Sequence, residues 1–415
     1  LSRALYSLML YLLLPWALLH LVWRARGQPA YLDHVGERFA VFADDMPSRV
    51  IWIHAVSVGE TRAAEPLIKA LQERHPEHRI LLSHGTPTGR QTGVELYGDR
   101  VERCYLPYDF GWASRRFLRR FRPVVGIFLE TEIWPNLIHA SIQSAVPAYL
   151  VNARMSEKSA RGYRRIGRLT RSALRELPRI GAQTDRDAQR FLDLGARDVI
   201  VTGNIKFDRL APAQMLALGA SLRNAFGTQR PLFLAASTRE GEEALILDAL
   251  ADAEIPGLLT VIVPRHPQRF EEVVSLVQQR GYTFQRRSED RPVASDTRIV
   301  IGDSMGEMFA YYAACDVAFI GGSLLPLGGQ NLLEACTVGR PVVVGPHTFN
   351  FEEATRGAIE AGAAIRVADA AELMRMIAGL LHEPERRHAM AEAGKRFTDA
   401  HRGATEKTLD LLRWR

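Results

Sequence analysis

Three junctions in the 415-residue sequence join an apolar run to a turn and a charged side chain, the arrangement that proton transfer needs. In the first, His54, Ala55, Val56, Ser57, Val58, Gly59 and Glu60 read as a strand end, a glycine-containing turn and the start of a helix running to about Arg74. A carboxylate at a helix start favours the dipole and stays ionised. Facing a cleft, the same ionised group is suited to accept a hydroxyl proton. The second junction is Glu130-Thr131-Glu132-Ile133-Trp134-Pro135-Asn136, whose two acids either cap the next helix or line the cleft. The third runs from Thr202 to Asp208 and holds Lys206, one of five lysines in a chain with 48 arginines. Lys206 is either a solvated linker charge or a cation kept for a purpose.

A second group of junctions suits an anion. Gly321, Gly322 and Ser323 end a strand, and Gly328, Gly329, Gln330 and Asn331 open the helix that carries Glu334. Glycine lets backbone approach a phosphate, and free N–H groups at a helix start favour negative charge. Glu334, one turn inside, can accept hydrogen bonds from ribose hydroxyls. Pro264, Arg265, His266 and Pro267 follow another strand, where arginine can pair with phosphate. Met305, Gly306 and Glu307 open a third helix after Gly302 and Asp303. Each loop alone is compatible with a tight turn before a capped helix; together they describe a nucleotide site. No Cys/His cluster has zinc spacing and no acidic metal-binding pair accompanies the three glycine and helix-start loops, so no metal ligand is assigned and metal-independent phosphate binding is expected.

These junctions need strands and helices in alternation, and the sequence supplies them. Val50–His54, Ile80–Ser83, Val124–Leu129, Ala148–Val151, Ile180–Ala182 and Val199–Thr202 read as buried strands of a parallel α/β half. The rhythm breaks between Asn204 and Gln214. A second series follows with Leu232–Ala236, Leu259–Val263, Ile299–Ile301, Val317–Ile320 and Val342–Val344. The length exceeds what one core supports. The expected fold is therefore α/β, with two doubly wound, Rossmann-like domains and a ligand cleft at the strand carboxyl ends. Expected boundaries are 1–26 for an anchor, 27–208 for the first domain and 209–415 for the second. Amphipathic helices from about Ala370 to Leu412 can pack back on the first half.

Composition narrows the setting. With 47% apolar and 24% charged residues, disorder and coiled coil are excluded. Three cysteines, Cys104, Cys315 and Cys336, give no disulfide framework and suit a reducing compartment. Ala4 to Trp23 carries no formal charge, with Arg3 before it and Arg24 and Arg26 after it. Twenty helical residues cover about 30 Å, the hydrocarbon thickness of a bilayer. The run is too long for a cleaved signal and no small-x-small site follows. The heavier arginine flank on its C-terminal side puts the body in the cytoplasm. Pro15 and the aromatic content equally suit a helix lying in the interface. From Arg154 to Arg179, eight arginines and Lys158 stand against two glutamates, a concentration that fits an anionic surface or substrate. Within it Tyr163, Ile166, Leu169 and Ala173 recur at helical spacing, for a membrane boundary or for the core. No nucleic-acid module accompanies the charge.

Taken with Gly345-Pro346-His347-Thr348-Phe349-Asn350-Phe351, the three catalytic-type junctions and Val263-Pro264-Arg265-His266-Pro267 resemble the transferases of 3-deoxy-D-manno-octulosonic acid (Kdo), the acidic sugar of the lipopolysaccharide inner core. The resemblance extends over the whole chain. It implies the two-domain GT-B glycosyltransferase fold with an N-terminal anchor helix in the cell inner membrane. It also implies inverting transfer of Kdo from CMP-Kdo to the 6′-hydroxyl of the tetra-acylated lipid A precursor, with no cofactor. By the same resemblance Glu60 is the general base, and Glu130 and Lys206 stabilise the transition state. Pro264, Arg265, Met305, Gly306, Glu307, Asn331, Leu332, Leu333 and Glu334 bind CMP. The implied partners are CMP-Kdo, the lipid A precursor and the membrane surface, with no nucleic acid. Another GT-B enzyme using a different nucleotide sugar, or a membrane-bound nucleotide sensor without turnover, would share the glycine-rich loops.

Overall fold

Alternating apolar runs and helices build two parallel sheets in the computed structural model, which describes residues 1–253 and 255–414. Among these residues the first sheet comprises β1 (Ile51–His54), β2 (Ile80–His84), β3 (Glu102–Tyr105), β4 (Val125–Leu129), β5 (Ala148–Ala153), β6 (Ile180–Ala182) and β7 (Val199–Val201), in the order β3-β2-β1-β4-β5-β6-β7. The second comprises β8 (Leu232–Thr238), β9 (Leu259–Pro264), β10 (Phe284–Arg286), β11 (Ile299–Ile301), β12 (Val317–Ile320), β13 (Val342–Val344) and β14 (Ala364–Arg366), in the order β10-β11-β9-β8-β12-β13-β14. Central strands such as β1, β4 and β9 are buried along their whole length, because helices cover both faces. Strand order reverses between β1 and β4 and again between β8 and β12. In open α/β sheets, ligands bind at the carboxyl ends flanking such a reversal.

The chain forms two units, residues 1–208 with 401–415, and residues 209–400. The expected start of the second domain at 209 coincides with this division, and of the helices expected to be able to pack back on the first half only those after 400 do so. Residues 401–415 return to the first unit, where Leu409 and Leu411 join the core made by Ile51, Ile53, Leu67 and Ile127. Asp208 receives the N–H groups of Gly403 (2.7 Å) and Thr405 (2.5 Å), and Tyr149 donates its hydroxyl to the Arg413 carbonyl (2.6 Å). The opposite face of the first sheet packs Trp52, Phe117, Phe121 and Phe128.

Local chemistry changes three expectations. The helix read from Glu60 to Arg74 is two, Val58–Ala63 and Glu65–Arg74, parted by the proline at 66, which has no N–H to continue the ladder. The Tyr163-Ile166-Leu169-Ala173 stripe is also split, into helices Glu157–Arg165 and Gly167–Glu176. Its Leu169 and Ala173 are buried in the protein, not offered to a membrane. Asn204 to Gln214 is no plain linker, since Ile205–Asp208 forms a 3₁₀ turn and a helix begins at Ala213. The first helix, α1 (Arg3–Ala25), is long and apolar enough to cross a membrane.

Candidate active site

Glu60 sits in the turn that leaves β1, at the strand-order reversal. The Ser57 side chain caps the Val58–Ala63 helix, and the Glu60 carboxylate reaches back in a capping box to the N–H groups of Ser57 (3.2 Å) and Val56. From β2, His84 fixes the same turn: its Nδ1 lies 3.1 Å from the Ala55 carbonyl, and burial pushes its pKa down to about 3, so the ring is neutral. Glu60 is only 9% exposed. Burial first, then the nearby Glu130 and Glu132 carboxylates, push its pKa up to about 8, against the two backbone donors. The expectation that the helix start keeps Glu60 ionised is thus overturned, because desolvation and like charge outweigh the cap.

Glu130 and Lys206 meet. Glu130 follows β4 and holds φ at 60°, a left-handed value that is uncommon outside glycine. Lys206 Nζ donates to its Oε1 (2.9 Å), and Arg154 Nε lies 3.1 Å from its Oε2. Burial raises the Glu130 pKa, but the two cations outweigh it and hold the carboxyl below its ordinary value. Neither acid caps the following helix, which begins at Pro135 after Trp134. Lys206 is placed by Asn152, another left-handed residue (φ 49°), whose Oδ1 accepts the Ile205 N–H at 3.1 Å. Asn152 and Arg154 were not singled out as site residues from sequence. Asn152 is 53 positions from Ile205.

Glu132 faces β1. Its Oε2 accepts the Trp134 indole N–H (2.8 Å) and lies 3.7 Å from Nε2 of the buried His54. His54 Nδ1 lies 2.9 Å from the Ser83 hydroxyl and 3.1 Å from the Ser83 carbonyl, which ties the ring to β2.

In the second unit the nucleotide-type loops stand at neighbouring strand ends. Arg265 follows β9, and its Nε donates to the Gln330 side chain (3.3 Å), joining two of the three expected segments. Glu334 takes an ion pair from Arg209 and lies 3.4 Å from the Asn331 amide. Arg209, 125 positions away, is a further residue that sequence reading missed. Glu307 accepts from Ser304 (2.7 Å) and pairs with Arg287 (3.3 Å). Met305 is exposed, and Gly306 has a φ of 80°. Met305 to Glu307 precede the helix, which starts at Met308. Pro264, Leu332 and Leu333 are buried, so the two leucines can offer a ligand only backbone.

The strand-end glycines depart from expectation. The N–H groups of Gly322 (2.5 Å), Ser323 (2.9 Å) and Leu324 (3.0 Å) are taken by Glu242, whose carboxylate also accepts from Arg239 N–H (2.9 Å). Gly321 N–H is bonded to Ala236, and Gly329 N–H to Gly322. An internal carboxylate thus fills the nest expected for phosphate. Gly321 must be glycine here: a Cβ would lie 2.5 Å from the Ser237 carbonyl oxygen. The N–H groups of Gln330, Asn331 and Leu332 carry no hydrogen bond among the described residues.

Residues 33–209 match the family model described as 3-deoxy-D-manno-octulosonic-acid transferase, and residues 245–397 match that of glycosyl transferases group 1. A 3-deoxy-D-manno-octulosonic acid transferase of Bordetella pertussis is 44% identical, covering 99% of each chain. One of Haemophilus influenzae is 37% identical over 93% of this chain and 92% of its own. In fold, the chain is similar to Anabaena HepE solved with UDP-glucose (TM-score 0.55, 16% identity, 87% of this chain and 99% of that one). It is also similar to a glycosyltransferase from Rickettsia africae (TM-score 0.57, 13% identity, 88% and 97%). These two likenesses agree with two parallel doubly wound units of the GT-B type.

Proposed function

The chain belongs to the 3-deoxy-D-manno-octulosonic acid transferase family, and from that premise we propose that it moves Kdo from CMP-Kdo to the 6′-hydroxyl of the tetra-acylated lipid A precursor, with inversion and release of CMP. The observation that carries the reading is the buried Glu60 at the β1 turn, with the Lys206–Glu130 pair beyond the adjacent β4. In one displacement, Glu60 takes the proton of the acceptor hydroxyl as that oxygen bonds to the anomeric carbon of Kdo. The bond to the CMP phosphate breaks, and its electron pair leaves with CMP. Lys206, held by Glu130, offsets the negative charge of the donor. Arg265 and the N–H groups of Gln330 to Leu332 receive the phosphate, and Glu334 the ribose. Preorganised donors of this kind act without reorganising during the reaction. The reaction takes place at the cytoplasmic face of the inner membrane, to which α1 holds the protein. Mass spectrometry of the lipid formed from purified protein, CMP-Kdo and the precursor tests the reaction. A product lacking the added Kdo mass would reject it.

The raised pKa of Glu60 gives a pH dependence. The base is the unprotonated form, so kcat/KM for the acceptor should rise about tenfold per pH unit from pH 6 and level off near 8, the value set by burial and the two carboxylates. A flat profile between pH 6 and 8 would remove Glu60 from the proton transfer.

Phosphate held by arginine and backbone donors needs no divalent ion. Among the described residues, no group of three or more His, Cys, Asp or Glu side chains could hold one. Transfer should persist in excess EDTA. Activity lost on chelation and restored by magnesium would show that the phosphate is held otherwise.

A further inference from the structure

Helix α1 is fastened to the first unit along its length. Near its start, the Tyr6 hydroxyl donates to the buried Asp109 (3.0 Å), and Ser7 shares hydrogen bonds with Asn136. Asp109 itself holds the N–H groups of Asn136 and Leu137 at the head of the next helix. Midway, Tyr11 packs on Phe110 at 4.8 Å, and Leu10 and Leu14 lie on the cluster of Ala40, Phe110 and Ala113. At its end, Leu21 and Ala25 pack with Tyr31, and Arg24 covers the Tyr31 ring at 4.3 Å. A helix of 23 residues is about 34 Å long. To cross a bilayer it would have to give up the Tyr6–Asp109 bond and carry its start about 30 Å from the body.

The other face is bare and apolar. Leu12 and Leu19 are 71% exposed, Trp16 64% and Trp23 63%. Beside the start of α1, where Arg3 approaches Glu176 at 3.9 Å, a cavity of 910 Å³ is lined by Arg164, Arg165, Arg168, Arg171, Arg175 and Arg197. Arg164 pairs with Glu157; the other five have no acidic partner within 4 Å among the described residues. Of the rest of the basic stretch, Arg154 is engaged with Glu130 and Arg179 with Asp198, and Lys158 and Arg161 lie outside the cavity lining.

We propose that α1 lies in the plane of the membrane rather than through it, docking the first unit on an anionic bilayer, with the arginine-lined cavity receiving lipid phosphates. The proposal rests on the membrane reading above and gives it a geometry. An apolar face flanked by tryptophan, next to unpaired arginines, matches the boundary between acyl chains and phosphates. The N-terminal end of α1 then stays on the same side as the body.

Cysteine placed at Ser2 in the full chain reports that side, because Cys104, Cys315 and Cys336 are buried. In inner-membrane vesicles with the cytoplasmic face outward, a membrane-impermeant maleimide should label Ser2→Cys without detergent, and intact spheroplasts should stay unlabelled. The reverse pattern would overturn the in-plane helix and leave the membrane reading standing. Protein absent from the membrane fraction would sink both. Reversing Arg168, Arg171 and Arg175 to Glu should weaken binding to phosphatidylglycerol vesicles tenfold or more, roughly, with the loss vanishing at high salt. Equal binding by both proteins would remove the cavity from the docking face.

Discussion

Glu60→Gln is expected to lower Kdo transfer by about 10²–10⁴-fold while CMP binds as before. The substitution keeps the size and the oxygen that accepts the Ser57 and Val56 N–H groups, so the turn after β1 should survive. What disappears is the site that takes the proton. The change lies in the first unit, and the residues assigned to CMP lie in the second. Single-turnover transfer and calorimetric CMP titration on the same sample separate the two effects. More than about a tenth of the wild-type rate would be too much for an enzyme that has lost its base.

Glu242→Ala should have the largest effect on stability. The carboxylate is fully buried and satisfies four backbone N–H groups, at Arg239, Gly322, Ser323 and Leu324. An orphaned buried donor costs about 1–3 kcal/mol. Even with relaxation, at least about 3 kcal/mol should be lost from the second unit, and CMP affinity with it, because the loop from Gly321 leads to Gln330 and Asn331. Urea unfolding followed by circular dichroism measures the first effect. An unchanged midpoint would mean that the nest holds its shape without its carboxylate.

The strands legible in the sequence and the strands missed differ by position in the sheet. Central strands are uninterrupted apolar runs, as for Val125–Leu129 and Leu259–Pro264, because both faces are covered. The three that escaped, β3, β10 and β14, are all at sheet edges. There Glu102, Arg103 and Arg286 remain partly exposed, and polar residues hide the pattern. The site divides in the same way. Strand-end junctions announce themselves through local spacing, so Glu60, Glu130 and Arg265 could be singled out. Their partners could not, since Lys206 reaches Glu130 across 76 positions, Arg209 reaches Glu334 across 125, and Glu242 collects its donors from 80 positions on. The ionisation of Glu60 was misjudged for a related reason. A helix start is visible in sequence, but the carboxylates brought beside it by β4 are not.

The return of residues 401–415 to the first unit has a consequence for synthesis. Leu409 and Leu411 complete a core whose other members, Ile51, Ile53 and Leu67, emerge from the ribosome more than three hundred residues earlier. The second unit, continuous from 209 to 400, is made in full before that core can close. Folding as units would then run against the order of translation, with the later unit finished first. Meanwhile the part of the first sheet's apolar face that Leu67, Ile68 and Leu71 do not cover stays open, so the nascent chain keeps an adhesive patch while it is still being made.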